Sequence, residues 1–285
     1  MKTFSAITEP EELAKYLSQK GRTRSDYLCQ YTRVECLKKI LENKTLLLNN
    51  PSAMNDLEEF KNYNSNIANS MYFTCFMTGQ DESVGMWAMY APDWIDGVQI
   101  SIRRDDFYKL LELKSFVKQD KDFHDLGTEV TGAGWSVSMA RVAYFDEDRN
   151  FLSVSDSHNV KFTKGKLKDN CLAGFVKDDV WSYEKEIRLI LKGKPAKVMP
   201  FDHAVIDISD ALNNMEIKLS PYFADANLKV IKNIHKKYPF IRIRMSHLYG
   251  KMKLRKQEPS DGVLPDMVEQ WGIETDKERT RLGLD

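Results

Sequence analysis

The sequence of 285 residues lacks most of the features that would assign a chain to a well-marked class. Its four cysteines have no CxxC spacing, which argues against a zinc site or a disulfide framework and predicts reduced, buried thiols at Cys29, Cys36, Cys75 and Cys171. No apolar run approaches the ~20 residues of a membrane-spanning helix. The first residues also lack the apolar segment of a signal peptide. These absences predict a cytoplasmic protein with no metal site and no membrane contact.

An excess of charge of either sign is lacking as well, because 42 basic residues balance 42 acidic ones. No long-range field therefore draws the chain to nucleic acid or to an anionic membrane, and only local basic patches remain for such contacts. Residues 251–256 form one such patch, which is interpreted either as a solvated surface or as a contact for nucleic acid. The hydrophobic fraction of 42% is enough for a proper core.

Several catalytic motifs are absent too. The chain has no GxGxxG, no P-loop, no G-x-S-x-G and no H-E-x-x-H. Its five histidines lie far apart in the sequence, and none stands beside a nucleophile. Carboxylates are therefore the only acid–base groups that cluster in a pattern.

Strands and helices alternate without regular βαβ spacing, which predicts a single α+β domain over residues 1–255. Residues 256–285 are polar and weakly periodic, which predicts a loosely attached tail. Helices are predicted at 9–19, 34–43, 83–90, 105–113 and 224–238. Strands are predicted at 27–32, 45–48, 71–76, 97–102, 142–145, 181–191, 204–208 and 241–245.

The most informative of these segments is the strand predicted over residues 181–191. Its alternation places Glu184, Glu186 and Arg188 on one face and mostly apolar side chains on the other. Two converging carboxylates suit acid–base chemistry, because their repulsion raises one of the two pKa values. A solvated strand face in which Arg188 neutralises both acids gives the same pattern. Both interpretations stand at this point.

Three other segments combine aromatic and polar residues at the ends of predicted elements. The first is the strand at 27–32, the second is the turn at 55–59, and the third is the helix with Trp87 and Tyr90 on one face. Core packing is the alternative for the two aromatic residues. A simple turn cap is the alternative for Asn55 and Asp56.

Together these segments resemble a bacterial family, domain of unknown function 2971. Its pattern reads Tyr-x-Tyr-Thr, Asn-Asp-Pro-x-Glu, Met-Trp-x-x-Tyr before a glycine and a strand, and Trp-x-Tyr-Glu-x-Glu-x-Arg. The corresponding residues are Tyr31-Thr32, Asn55-Asp56 with Glu59, Met86-Trp87 with Tyr90 and Gly97, and Trp181 through Arg188. The likeness extends over residues 27–254. Two positions depart from it, because Leu57 replaces the proline and Gln30 stands where relatives often carry histidine or a basic residue.

The motif order of that family is similar to that of ADP-ribosyltransferases. This likeness implies a mixed or antiparallel split sheet with flanking helices, and NAD as the cofactor. It makes Glu186 the carboxylate that stabilises an oxocarbenium-like state, while Glu184 orients the nucleophile. The implied cofactor-binding residues are Gln30, Tyr31, Thr32, Trp87 and Tyr90, and the implied supporting residues are Asn55, Asp56 and Arg188.

The function implied by the resemblance is NAD-dependent transfer of ADP-ribose to a protein or nucleic acid, or hydrolysis of NAD. By analogy, such an activity suits a bacterial toxin or an anti-phage defence effector, with or without a protein partner. The alternative is a non-enzymatic binding or regulatory module on the same fold. Gln30 supports this alternative because glutamine cannot carry a charge. A nuclease is disfavoured, since no metal-binding acid cluster is visible.

Overall fold

The computed structural model describes residues 7–20, 26–53, 56, 59–61, 63–79, 81–132, 134–154, 160–194 and 201–251. The helices in this part of the chain are α1 (Pro10–Lys20), α2 (Val34–Asn43), α3 (Ser65–Ala68), α4 (Val84–Tyr90), α5 (Arg104–Lys109), α6 (Lys164–Leu167) and α7 (Asp225–Lys237). Short 3-10 helices lie at Pro51–Ala53, Leu110–Glu112, Asn170–Leu172, Asp179–Glu184 and Ser209–Asn214. None of the helices in these described ranges combines the length and apolar character that a membrane crossing needs.

The strands are β1 (Tyr27–Arg33), β2 (Thr45–Asn49), β3 (Met71–Thr78), β4 (Gly97–Arg103), β5 (Ser115–Gln119), β6 (Asp125–Val130), β7 (Trp135–Arg141), β8 (Ala143–Asp146), β9 (Phe151–Ser153), β10 (Val160–Lys161), β11 (Val176–Asp178), β12 (Glu186–Gly193), β13 (His203–Asp207), β14 (Glu216–Leu219) and β15 (Arg242–Met245). Helices are thus combined with mixed sheets in which antiparallel pairs predominate, as the α+β prediction requires. The region from 115 to 170 holds more strands than predicted. Their hydrophobic alternation is weak, and β6 is exposed over most of its length.

The chain divides into two compact units, each built from separated segments. Unit 1 comprises Met1–Arg24, Leu46–Thr78 and Tyr108–Asp207, and unit 2 comprises Ser25–Thr45, Gly79–Phe107 and Ile208–Asp285. The prediction of one domain over residues 1–255 stays a prediction. The predicted tail at 256–285 lies outside the described residues.

Unit 1 is organised around β12, which pairs antiparallel with β3 on one side and with β7 on the other. Six consecutive residues of β12, from Glu186 to Leu191, are buried, because neighbouring strands and packed side chains enclose the strand. A second sheet has the order β10-β9-β8-β11, with β11 parallel to β8. Apolar residues of α1, β8 and β9 belong to one core cluster with β3 and β12.

Unit 2 contains the strand order β15-β14-β4-β1, in which only the β14–β15 pair is parallel. Residues that are paired across these four strands show that the two faces of the sheet differ in polarity. One row reads Gln30, Ile100, Ile217 and Ile243, so that face is mainly apolar. The adjacent row, on the opposite face, reads Tyr31, Gln99, Lys218 and Arg244. A polar face that is largely buried needs internal partners for its side chains.

Candidate functional site

The acid-rich motif does not form one continuous strand. Residues Asp179–Glu184 form a 3-10 helix, because the side chain of Asp178 accepts a hydrogen bond from the Val180 amide at 3.0 Å and caps its start. Lys185 then adopts a left-handed conformation at φ 43°, and β12 begins at Glu186. The predicted strand is therefore confirmed from residue 186 onward and wrong for residues 181–185.

The side chain of Arg188 is the centre of a buried charge network in unit 1. Its Nε donates to Glu186 Oε1 at 2.6 Å, and one terminal nitrogen donates to Glu186 Oε2 at 3.1 Å and to Glu59 Oε2 at 2.9 Å. The other terminal nitrogen donates to Glu59 Oε1 and, at 3.0 Å, to the carbonyl oxygen of Gly174. Every N–H of the guanidinium therefore has an acceptor.

A second cation, Lys177, joins both acids of the motif. Its Nζ donates to Glu184 Oε2 at 2.6 Å and lies 3.5 Å from Glu186 Oε2. The same ammonium group lies 4.6 Å from the ring centroid of Trp181, a cation–π geometry. We call the set Glu59, Lys177, Glu184, Glu186 and Arg188 the Arg188 cluster.

The Arg188 cluster is closed to solvent. Glu184 is 3% exposed, Glu186 is 4% exposed and Arg188 is completely buried. The interpretation as a solvated strand face is therefore wrong. Arg188 pairs with Glu186, as that interpretation expected, but Glu184 pairs with Lys177 instead. Burying charges of both signs costs less when each has a hydrogen-bonded counter-charge, which is the arrangement here.

Electrostatics separate the two carboxylates that share Arg188. Burial alone would raise the pKa of Glu186, but the charges of Arg188 and Lys177 outweigh it and lower that pKa to about 2. Burial raises the pKa of Glu59, and the charge of Arg188 offsets only part of this effect. The expected repulsion between the two acids therefore does not raise the pKa of Glu186. Its carboxylate stays ionised and hydrogen-bonded.

Two neutral groups complete the surroundings of Glu186. Its backbone amide donates to the hydroxyl of Tyr144 at 2.8 Å, and its carboxylate accepts a hydrogen bond from the thiol of Cys75. Burial, followed by the charge of Glu186, holds the pKa of each of these groups well above its usual value. Neither group supplies a nucleophile at neutral pH, because both remain protonated.

A different buried carboxylate, Glu82, organises the polar face of unit 2. Its side chain accepts from Trp87 Nε1 at 3.1 Å and from the backbone amide of His247 at 2.9 Å, and it also accepts from Ser246 Oγ and His247 Nδ1. Lys218 Nζ lies 3.3 Å away. Glu82 therefore ties the start of α4 to β14 and to the end of β15.

Tyr31 and Trp87 meet beside this carboxylate. Their ring centroids are 4.7 Å apart in an edge arrangement. The hydroxyl of Tyr31 accepts from the Ser83 amide at 3.0 Å and from Gln99 Nε2 at 2.8 Å. Gln99 is completely buried, and its Oε1 has no hydrogen-bond partner in the described part of the chain. Trp87 is also completely buried, which confirms the core-packing alternative for this residue and removes it as a stacking surface.

The other predicted cofactor residues do not join Tyr31 and Trp87 in one row. Gln30 and Thr32 lie on the opposite face of β1, because side chains alternate along a strand. Both are half-buried, as is Tyr90 at the end of α4. All of these residues belong to unit 2, whereas the predicted catalytic residues Glu184 and Glu186 belong to unit 1.

The predicted turn at 55–59 is described only in part. Asn55 lies outside the described residues, and Asp56 is half-buried. Glu59, which the family pattern includes but which was not predicted as a site residue, contacts Arg188 directly. Lys177 was missed entirely, since a lone lysine in the short strand β11 gives no local signal of burial.

Two groups of side chains have the spacing to hold a metal ion among the described residues. One contains Glu11, Asp169 and Cys171, and the other contains Asp120, Asp122 and His124. Neither includes a residue of the Arg188 cluster, and all but Cys171 and Asp120 are exposed. All four cysteines are free thiols, but Cys36 is exposed, so the prediction of buried thiols is wrong there.

Comparisons with known proteins bear on the family and not on the reaction. No curated protein matches the chain, and no solved structure matches it. The likeness to ADP-ribosyltransferases therefore stays a prediction. Residues 86–189 match the model of a family described as "Protein of unknown function (DUF2971)", which confirms the family resemblance predicted from the Met-Trp helix and the acid-rich motif.

Proposed function

We propose that this chain is a non-enzymatic binding or regulatory module in which the family's motif residues have structural roles. The observation that carries the proposal is that the hydrogen-bonding capacity of the Glu186 carboxylate is used within the protein. Both of its oxygens accept from Arg188, and Lys177 and Cys75 provide further contacts. A carboxylate that stabilises a developing cation on a substrate needs a free oxygen and access to the ligand. Glu186 has neither.

The Glu82 network supports the same conclusion for the aromatic residues. Trp87 donates its indole N–H to Glu82, and its ring is enclosed. Nicotinamide stacking requires an exposed ring face. The motif around Trp87 therefore serves to attach α4 to the sheet of unit 2, and we place ligand recognition elsewhere on the surface.

A second candidate is the NAD-dependent ADP-ribosyltransferase-like function, on a split sheet like that of the transferases. One observation favours it: Glu184 and Glu186 converge on the single cation Lys177, at 2.6 and 3.5 Å. An acid pair thus exists, and a change of conformation that withdraws Lys177 and Arg188 would leave two adjacent carboxylates. In this candidate the protein transfers ADP-ribose to a macromolecule or hydrolyses NAD, as a toxin or defence effector in the bacterial cytoplasm.

Measurement of nicotinamide release from NAD separates the two candidates. The full chain and Glu186→Gln are incubated with NAD, and the unfolding midpoint of each is recorded in parallel. The module predicts no release above buffer for either protein, together with a lower unfolding midpoint for Glu186→Gln. Release by the unmodified chain that disappears in a still-folded Glu186→Gln variant would overturn the module and establish the enzyme.

A further inference from the structure

Helix α7 carries an unbalanced set of charges on its exposed side. Its buried residues are Leu228, Ile231 and Ile234, and its exposed charged residues are Asp225, Lys229, Lys232, Lys236 and Lys237. Four lysines therefore share this side of the helix with one aspartate, in a chain whose net charge is zero. The imbalance is a local feature that the overall composition conceals.

Helix stability explains only part of this pattern. Lys236 and Lys237 lie in the last turn, where cations interact favourably with the helix dipole. That effect is confined to the final turn of a helix. Lys229 and Lys232 lie earlier, so the dipole does not account for them.

Helix α2, in the same unit, has equal numbers of exposed lysines and glutamates, and its lysines pair with those acids. Lys39 lies 3.1 Å from Glu35, and Lys38 lies 3.9 Å from Glu42, each one helical turn apart. By contrast, Lys229 and Lys236 form no ion pair within the described ranges. The charges of Lys229 and Lys236 are therefore available to an external anion.

The lysines are also spaced in a line. Residues 229, 232 and 236 follow the i, i+3, i+7 spacing that places side chains along one stripe. At 1.5 Å per residue this stripe is ~10 Å long. A nucleic-acid strand presents several phosphates over that distance.

An exposed aromatic ring follows the end of the helix. Phe240 is 50% exposed, and its ring lies edge-on to Tyr238 with centroids 6.1 Å apart. Tyr238 is held in place, because its hydroxyl donates to the Leu41 carbonyl at 2.8 Å. Phe240 is thus a supported ring with a free surface, the feature on which an unpaired base stacks.

We propose that Lys229 and Lys236 on the exposed side of α7, together with Phe240 beyond the end of the helix, bind single-stranded nucleic acid. Lys229 and Lys236 contact phosphates, and Phe240 stacks on a base. An anionic membrane fits less well, because a membrane-binding helix inserts its apolar side, and that side of α7 is buried here. The proposal does not depend on whether NAD is consumed.

Fluorescence anisotropy with a labelled oligothymidylate tests the proposal on the full chain. The matched variants are Lys229→Gln/Lys236→Gln on α7 and Lys38→Gln/Lys39→Gln on α2, which remove the same charge. We expect the α7 pair to weaken binding about tenfold at about 50 mM salt and to reduce the slope of log affinity against log salt by about 1.4. The α2 pair should leave both quantities nearly unchanged.

Phe240→Ala provides an independent readout, because stacking does not release counterions. It should weaken binding at least about fivefold while the salt slope stays the same. The proposal is overturned if the unmodified chain does not bind the oligonucleotide, or if the two lysine pairs lose affinity equally. Tighter binding to anionic vesicles or to polyglutamate than to the oligonucleotide would also overturn it, in favour of those partners.

Discussion

Replacing Glu186 by glutamine keeps the size of the side chain and removes one charge from the Arg188 cluster. The pKa of Glu186 is lowered from 4.5 to about 2 in the folded protein. At 1.36 kcal/mol per unit, its ionised form stabilises the fold by about 3 kcal/mol at neutral pH. We therefore expect Glu186→Gln to lower the free energy of unfolding by about this amount, as measured by urea denaturation.

The pH dependence of the same difference provides a second check. Because the folded pKa lies below the unfolded one, this stabilisation is present above pH 4.5 and is lost as the pH falls toward 2. The difference between the unmodified chain and Glu186→Gln should shrink from about 3 kcal/mol at pH 7 to about 2 kcal/mol at pH 3.5. A difference that stays constant or grows over this range would refute the assignment.

Glu59→Gln is the matched control, since Glu59 is also buried and also bonded to Arg188. The pKa of Glu59 is raised, so the folded protein disfavours its ionised form. The stability that protonated Glu59 contributes is therefore lost as the pH increases. The cluster contains three carboxylates and two cations, and removing Glu59 balances it. We expect Glu59→Gln to cost less than Glu186→Gln at neutral pH. The opposite order would show that the charge count does not govern this network.

Two further predictions concern packing and thiol access. A Cβ at Gly97 would lie 2.7 Å from the Cβ of Ala91, so Gly97→Ala should lower the free energy of unfolding in urea by about 1–3 kcal/mol. Gly165 has open space around it, so Gly165→Ala should lower it by less than about 0.5 kcal/mol. Equal losses in the two variants would contradict this packing. A maleimide should label the exposed Cys36 in the native protein but reach Cys29, whose pKa burial raises to about 12, only after unfolding. Rapid native labelling of Cys29 in a mass spectrum would show that its burial is wrong.

The sequence predicts local elements well where one period dominates. The helix at α7 and the strand from Glu186 onward follow their hydrophobic patterns. Residues 181–185 also alternate with period two, yet the cap at Asp178 and the left-handed Lys185 produce a 3-10 helix instead. Alternation alone does not distinguish these cases. One residue in a left-handed conformation, here Lys185, changes the direction in which all of the preceding side chains point.

The Arg188 cluster could not be predicted from local sequence patterns, for a different reason. Arg188 contacts Glu59, which is 129 positions away, and no periodicity links them. Lys177 has the same residue type as the exposed lysines of α7, but it is 6% exposed and bonded to two acids. Whether a lysine is structural or available to a ligand therefore depends on tertiary burial, which composition and net charge do not report.

The Arg188 cluster also determines how a positive NAD result would have to be interpreted. Freeing Glu186 for a substrate requires Arg188 to give up two hydrogen bonds while it remains buried. Breaking one partner from such a pair costs about 3–5 kcal/mol. A ligand can shift a conformational equilibrium only by its differential affinity for the two states, so NAD would have to bind the opened form more tightly by at least that amount. NAD turnover would thus imply a rearranged start of β12, and amide hydrogen exchange at residues 184–188 should then increase when NAD is added. Turnover with unchanged exchange there would place the catalytic carboxylate outside this motif.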